Sequence, residues 1–245
     1  MSSAAYRYRQ DHIPLSTPYN RRPGLAMTPT TITIHNTGNL SSTAANERAW
    51  LTNPTNTRTA SYHIVIDAIE AIEVLPLNET AWHAGDGSKA TSGNRTSIGI
   101  EICERNTLTG EYAQTLRNAV ELVAKLLTAN NWSVDRLRRH YDWSGKNCPR
   151  LMNQDGKWTG WKQFVQQVDA RLLELKTNKS TEANKSEIAT ATVIVNGKQL
   201  PQKGEVKAGV TYVPIRAVAE ALGATVKWNS STQTVTVTQP EYGKA

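Results

Sequence analysis

Hydrophobic and polar positions alternate in ITIHN, which puts Ile32 and Ile34 on one face of a predicted strand and Thr31, Thr33 and His35 on the other, ending at Gly38. SYHIVIDA repeats the pattern, with Tyr62, Ile64 and Ile66 on one face and His63, Val65 and Asp67 on the other. AIEVLPL continues as a strand to near Pro76. In TSIGIEIC, Ile98, Ile100 and Ile102 share one face, so Gly99, Glu101 and Cys103 share the other. Between these stretches the period becomes helical. Ser41 or Ser42 caps a helix through about Leu51, and Asn53-Pro54 stops it. Ala113, Leu116, Val120, Val123 and Leu127 recur every three or four residues, an amphipathic helix ending near Asn130-Asn131. Trp161, Phe164, Val165, Val168, Leu172 and Leu175 mark a last helix. Strands separated by helices predict an α/β fold, a central mixed β-sheet flanked by helices.

The remaining stretches punctuate this core. Residues 1–30 read as an extended lead-in containing Arg21-Arg22 and Pro23-Gly24. TAWHAGDGSKATSGNRTS is rich in glycine and polar residues, an ordered loop of the kind that carries binding groups. KTNKSTEANKSEIAT has no periodicity and predicts a linker over 176–190, separating a domain of residues 1–175 from a small module over 191–245. The module restarts with Asn196-Gly197 between two apolar runs, a hairpin signal. VPIRAVAEALG then forms a short helix with Pro214 in its first turn and Gly223 past its end. ATVKW and QTVTVTQ close a second hairpin, making the module a small α+β unit.

Composition narrows the classes. A hydrophobic content of 38% with seven Trp and eight Tyr in 245 residues supports a packed core and excludes global disorder. No apolar run has the length of a membrane span, and MSSAAYRYRQDHIPLS lacks the apolar segment of a secretory signal. The expectation is synthesis in the cytoplasm, with any action outside depending on another route of release. The net charge is +7, with 19 basic and 16 acidic side chains in residues 1–175 and six basic and three acidic in 188–245. Charge so spread gives no nucleic-acid arm. A mildly basic surface suits an anionic polymer, and equally a solvated surface with no partner. Two cysteines allow one disulfide at most, and reduced thiols are favoured, one of them a ligand.

The chemistry concentrates in RHYDWSGKNCP, Arg139–Pro149, which reads as a strand end followed by an irregular loop. His140 and Cys148 stand eight residues apart with Lys146 between them. An imidazole and a thiolate suit zinc, although a loop His and a buried Cys produce the same spacing. His35, at the polar end of its strand, is placed to project into a cleft; alone it reads equally as a structural histidine. Glu101 opposes an Ile-rich face, so its carboxylate is expected in a partly buried site with a raised pKa, suited to proton transfer near neutral pH. Two His and one Cys leave a fourth zinc position open, the stoichiometry of a catalytic site.

ITIHNTGN, SYHIVID, AWHAGD, SIGIEIC and HYDWSGKNCP, in this order, resemble the zinc N-acetylmuramoyl-L-alanine amidases of phage and prophage origin, which share a fold with peptidoglycan recognition proteins. The resemblance covers roughly residues 6–175. It implies a zinc site in a surface groove with His35, His140 and Cys148 as ligands. It implies Lys146 as stabiliser of the oxyanion, Tyr62 beside the metal where it is expected to share that role, Glu101 as general base or as an acid just behind the metal ligands, and Trp82 and His83 as lining of the groove that holds the glycan or stem peptide. The implied reaction is hydrolysis of the amide between N-acetylmuramic acid and L-alanine in bacterial peptidoglycan. The alternatives are a zinc peptidase cutting within the stem peptide and a non-catalytic peptidoglycan-binding protein. The phage resemblance also implies release through a membrane lesion or by lysis. The last module resembles the small domain at the N-termini of copper amine oxidases. Copper is not implied, because residues 188–245 contain no His, Cys or Met. A wall-binding role, with anionic wall polymers as the partner, or a spacing role is the functional expectation for it, against a passive stabilising appendage.

Overall fold

The computed structural model describes residues 6–107, 110–186, 189–207 and 209–240. Two compact units are present, Met1–Lys176 and Thr177–Ala245. Residues 187–188 of the expected linker, and the last five residues of the C-terminal module, lie outside the described residues.

The first unit is built on a six-stranded mixed sheet. In chain order it contains β1 (Arg7–Gln10), β2 (Thr31–Asn36), α1 (Ala44–Thr52), β3 (Ile64–Ile66), β4 (Glu70–Glu73), α2 (Gly93–Thr96), β5 (Ser97–Ile102), α3 (Glu111–Ala129), β6 (Leu137–Arg139), α4 (His140–Ser144) and, as far as Lys176, α5 (Thr159–Ser186). The spatial order is β1-β4-β3-β5-β2-β6. Only β3 and β4 pair antiparallel; β1–β4, β3–β5, β5–β2 and β2–β6 are parallel.

Alternation divides this sheet into two faces of different chemistry. Ile32, Ile34, Ile64, Ile66, Ile98, Ile100 and Ile102 join Leu122, Val123 and Leu127 of α3 and Phe164, Val168 and Leu172 of α5 in one core. Each such side chain taken fully from water contributes on the order of 1.5–3 kcal/mol. Phe164, Val168 and Leu172 recur every four residues, which keeps them on one side of α5. Across the sheet a second core joins Ala44 and Leu51 of α1 to Ile13, Tyr62, Val65, Ile72, Val74, Leu75, Ala81 and Cys103. The second core leaves the end of β2 and β5 free on that face, and the polar residues there are Thr33, His35 and Glu101.

Several local expectations are corrected. Residues 7–10 of the expected extended lead-in form β1: the sequence, RYRQ, lacks an apolar stripe, yet it joins the sheet as an edge strand beside β4. Thr43, rather than Ser41 or Ser42, caps α1, accepting from Asn46 N while its own N–H donates to Asn46 Oδ1. Tyr62 does not share the face of Ile64 and Ile66: β3 begins only at Ile64, and Tyr62 packs in the opposite core with Val65. The HYDWS segment is a helical turn, α4, rather than irregular loop. The backbone stays helical from the last predicted helix through Ser186, so most of the stretch expected as a linker is α5. Arg21, in the lead-in, is fully buried and donates to the carbonyls of Leu51, Asn56 and Arg58.

The second unit comprises β7 (Ala189–Ala191), β8 (Ile194–Val195), β9 (Lys198–Gln199), β10 (Gly204–Lys207), β11 (Val210–Tyr212), α6 (Ile215–Ala221), β12 (Thr225–Asn229) and β13 (Thr234–Thr238). Asn196 and Gly197, at φ of 50° and 77°, form the two-residue turn between β8 and β9. Pro214 precedes α6 as its N-cap rather than lying in its first turn. β12 and β13 pair antiparallel, Val226 opposite Val237 and Trp228 opposite Val235.

Candidate metal centre and cleft

Three parallel strands deliver the site. His35 is the fifth residue of β2 and stands opposite Glu101 of β5; Ile34 stands opposite Arg139, the last residue of β6. His140 therefore leaves the sheet beside His35 although the two are 105 residues apart. Carboxyl ends of neighbouring parallel strands are a general location for ligand sites, because the loops that follow them converge there.

The imidazole nitrogens His35 Nδ1 and His140 Nδ1 lie 3.0 Å apart, and Cys148 Sγ lies 3.9 Å from His35 Nδ1. One donor atom from each of the three residues falls within 4.8 Å of the others, and all three side chains are buried. Burial, aided by the neighbouring imidazoles, holds His35 well below the ordinary histidine pKa. Burial first, and then Lys146, lowers His140 to about 4. Both rings are thus neutral at pH 7 and present lone pairs. The Cys148 thiol is pushed up to about 12 by burial and then by Glu101, while Asn36 N–H points at its sulfur from 3.5 Å. Two nitrogens and one sulfur in this spacing suit a tetrahedral divalent ion with one position left over. Both cysteines are free thiols, Cys103 being buried in the core beside α1.

A cleft of about 1140 Å³ opens over this cluster, lined by Glu47, Trp50 and Arg58 as well as by the residues expected from sequence. Glu101 Oε2 is enclosed and has no hydrogen-bond partner among the described residues. Burial raises its pKa to about 8; Glu47 adds to the rise and Lys146 opposes it. Lys146 is exposed on the cleft wall, two residues before Cys148. Tyr62 also lines the cleft, but its hydroxyl donates to the Glu47 carbonyl at 2.9 Å. Trp82 borders the cleft with its indole N–H donated to the Asn20 carbonyl at 2.7 Å. His83 is 6% exposed; its Nδ1 lies 3.1 Å from His35 Nε2 and its Nε2 3.0 Å from the Ser97 carbonyl. Its ring is thus spent mainly behind His35 rather than on the cleft surface.

The family profile described as N-acetylmuramoyl-L-alanine amidase matches residues 25–151, which is more than half of the chain. The chain belongs to that amidase family. A second profile, copper amine oxidase N-terminal domain, matches residues 179–242. Among relatives, XlyB of Bacillus subtilis is 37% identical over 211 residues, covering 86% of this chain and 59% of XlyB. CwlA of Bacillus subtilis is 42% identical over 151 residues, covering 61% of this chain and 53% of CwlA. Both carry the name N-acetylmuramoyl-L-alanine amidase, and the chain spans little more than half the length of each. The catalytic domain of XlyA superposes with a TM-score of 0.58 at 41% identity, covering 66% of this chain and 99% of that domain. The structure of PlyL gives 0.58 at 34% identity, covering 68% and 98%.

Within the amidase frame, the first unit contains residues that sequence reasoning passed over. Glu47, Trp50 and Arg58 come from α1 and the segment after it, which joins the cleft only in three dimensions. Polar residues at helical spacing on a surface helix give no sign of their own that they line a site. His63, which alternation marks only as a strand position, accepts from Gly99 N–H at Nδ1 (2.9 Å) and donates to the Glu79 carbonyl from Nε2 (2.8 Å).

Proposed function

We propose that this chain hydrolyses the amide between N-acetylmuramic acid and L-alanine in bacterial peptidoglycan, using zinc held by His35, His140 and Cys148. The observation that carries this reading is the convergence of these three donor atoms beneath the cleft that also holds Glu101 and Lys146. The donor set fits the ion: two neutral imidazoles and a thiol that a cation would deprotonate. Bound there, zinc supplies Lewis acidity toward an amide carbonyl and makes water a competent nucleophile near neutral pH.

The protein's own groups do the rest. Glu101 lines the cleft with its Oε2 unpartnered; Lys146 and a bound cation would favour its carboxylate, the form that accepts a proton from the attacking water, and burial raises its pKa so that it can pass that proton to the leaving nitrogen. The Lys146 ammonium meets the charge that develops on the carbonyl oxygen, an interaction worth about 3 kcal/mol when preorganised. To share in that work Tyr62 must give up its bond to the Glu47 carbonyl; as it stands it holds α1 against the cleft. Trp82 borders the groove for glycan or stem peptide, with His83 contributing an edge.

We place the site of action at the cell wall, reached by lysis or through a phage-type lesion. No helix among the described residues is long and apolar enough to cross a membrane. We assign residues 1–175 to catalysis and the C-terminal module to contact with anionic wall polymers, which its excess of Lys and Arg over Asp and Glu supports.

The test is product analysis on purified walls. The expected result is new amino groups without new reducing sugar, with L-alanine at the terminus of the released peptide and loss of release on chelation. A terminus inside the stem peptide would make the chain a peptidase, and no new amino groups would make it a binding protein.

A further inference from the structure

His83 stands between a metal-ligand candidate and a backbone carbonyl, and the protons along that row can be assigned. A carbonyl oxygen can only accept, so the 3.0 Å contact of His83 Nε2 with the Ser97 carbonyl puts a proton on Nε2. The ring is buried among other imidazoles, with no carboxylate against it among the described residues to stabilise a charge. A neutral ring protonated on Nε2 offers a lone pair on Nδ1. That lone pair faces His35 Nε2 at 3.1 Å, so the His35 proton belongs on Nε2. His35 Nδ1 is left bare, and Nδ1 is the atom directed at His140 and Cys148.

We propose that His83 is a positioning residue that locks His35 in the one neutral tautomer able to bind a metal through Nδ1. The proposal deepens the metal-centre reading and rests on it. The usual outer partner of a ligating histidine is a carboxylate, a carbonyl or water. Here an imidazole is interposed, which fixes orientation and tautomer without adding negative charge behind the ligand.

The surroundings are built to hold that ring. A Cβ on Gly99 would come within 2.6 Å of His83 Cγ, so only glycine leaves the ring its place. Asn94 Oδ1 accepts from both His83 N–H and Ala84 N–H at 2.7 Å, pinning the backbone on either side. The same segment borders the second ligand, with the His140 Nε2 turned toward Gly85. His140 is thereby left with Nδ1 toward the site, matching His35.

Long-range proton–nitrogen NMR on the metal-free native chain reads the His35 tautomer directly. The proposal expects the proton on Nε2, and a proton on Nδ1 would overturn it whatever the variants do. Zinc affinity, measured by chelator competition, is then compared for two substitutions. His83→Phe fills the space but accepts nothing, and should bind zinc about 10–100-fold more weakly, with a mixed His35 tautomer. His83→Asn offers an oxygen near the position of Nδ1 and should recover most of the affinity. Parental affinity in His83→Phe, or an equal loss in both variants, would sink the role of His83 while leaving the metal centre intact. A native chain that binds no zinc would overturn the metal centre itself, and the tautomer measurement would still report on the His83–His35 bond.

Discussion

Glu101 takes its character from its position in β5. Its neighbours at two-residue spacing, Gly99 and Cys103, are small, and the carboxylate is enclosed opposite His35. Alternation in SIGIEIC was enough to separate Glu101 from the isoleucines and to anticipate a raised pKa, because both follow from a strand with one apolar face. The function of His83 could not be read in the same way: it depends on contacts with His35 and Ser97, 48 and 14 residues away, which no local pattern encodes. Glu101→Gln is expected to keep stoichiometric zinc and the native fold while losing about 10²–10⁴-fold in turnover, the usual contribution of a positioned acid–base group. Unreduced release of peptide from walls would remove Glu101 from the mechanism. The same side chain gives a pH signature in chelator-treated protein. Its folded pKa, about 8, lies above its ordinary 4.5, so the stability it contributes is complete below the lower value and lost as pH rises toward the upper one. Buried His35 and His140 act the other way, and only below their ordinary 6.5, while Cys148 enters only above its ordinary 9.0. Between pH 6.5 and 8, denaturant midpoints of the metal-free chain should therefore fall with rising pH, and Glu101→Gln should flatten that slope.

Elements were legible where one face is apolar and obscure where tertiary contacts decide. β2, β5, α3 and α5 announce themselves by period, since each buries a stripe in the same core. β1 does not: RYRQ forms an edge strand whose Arg7 and Arg9 pair with Glu70 on the neighbouring β4. α4 was hidden because HYDWS is only five residues long, and its capping comes from Arg139 and Asp142 rather than from an apolar repeat. The contact between β5 and the segment after Trp82 is a close one. Gly99→Ala would place a methyl group against the His83 ring at 2.6 Å. Overpacking of this kind costs about 1–3 kcal/mol. The expected outcome is a lower denaturant midpoint together with weaker zinc binding. The cost of Gly99→Ala should shrink in a His83→Ala background, because residues in contact are coupled. Equal costs in the two backgrounds would mean that the two side chains do not compete for the same space.

Among the described residues, the two apolar clusters draw all their members from residues before Lys176, and the cleft is lined by residues up to Cys148. Stability and chemistry should therefore both reside in the first unit. The second unit has a different balance: its buried hydrophobic side chains among the described residues are Ala219 and Ala224, whereas Tyr212, Trp228, Val235 and Val237 are exposed. Hairpins and a short helix could be placed there from Asn196-Gly197 and VPIRAVAEALG, because turn chemistry is local, but β10 pairs with β7 across the intervening β8–β9 hairpin, and that pairing carried no such signal. A chain ending at Ser186 keeps α5 whole and retains both cores. It is expected to show the thermal midpoint of the full chain's main transition, one zinc per chain, and unchanged turnover on a soluble muramoyl-peptide. Retention on sedimented walls should drop on removal of residues 187–245, and the retention of the full chain should weaken with added salt, as attraction between exposed basic groups and an anionic polymer requires. Equal sedimentation of the two chains at low salt would leave the C-terminal unit without a part in wall binding. A loss of turnover on the soluble substrate would instead make it part of the catalytic unit, against the confinement of the cleft to the first 148 residues.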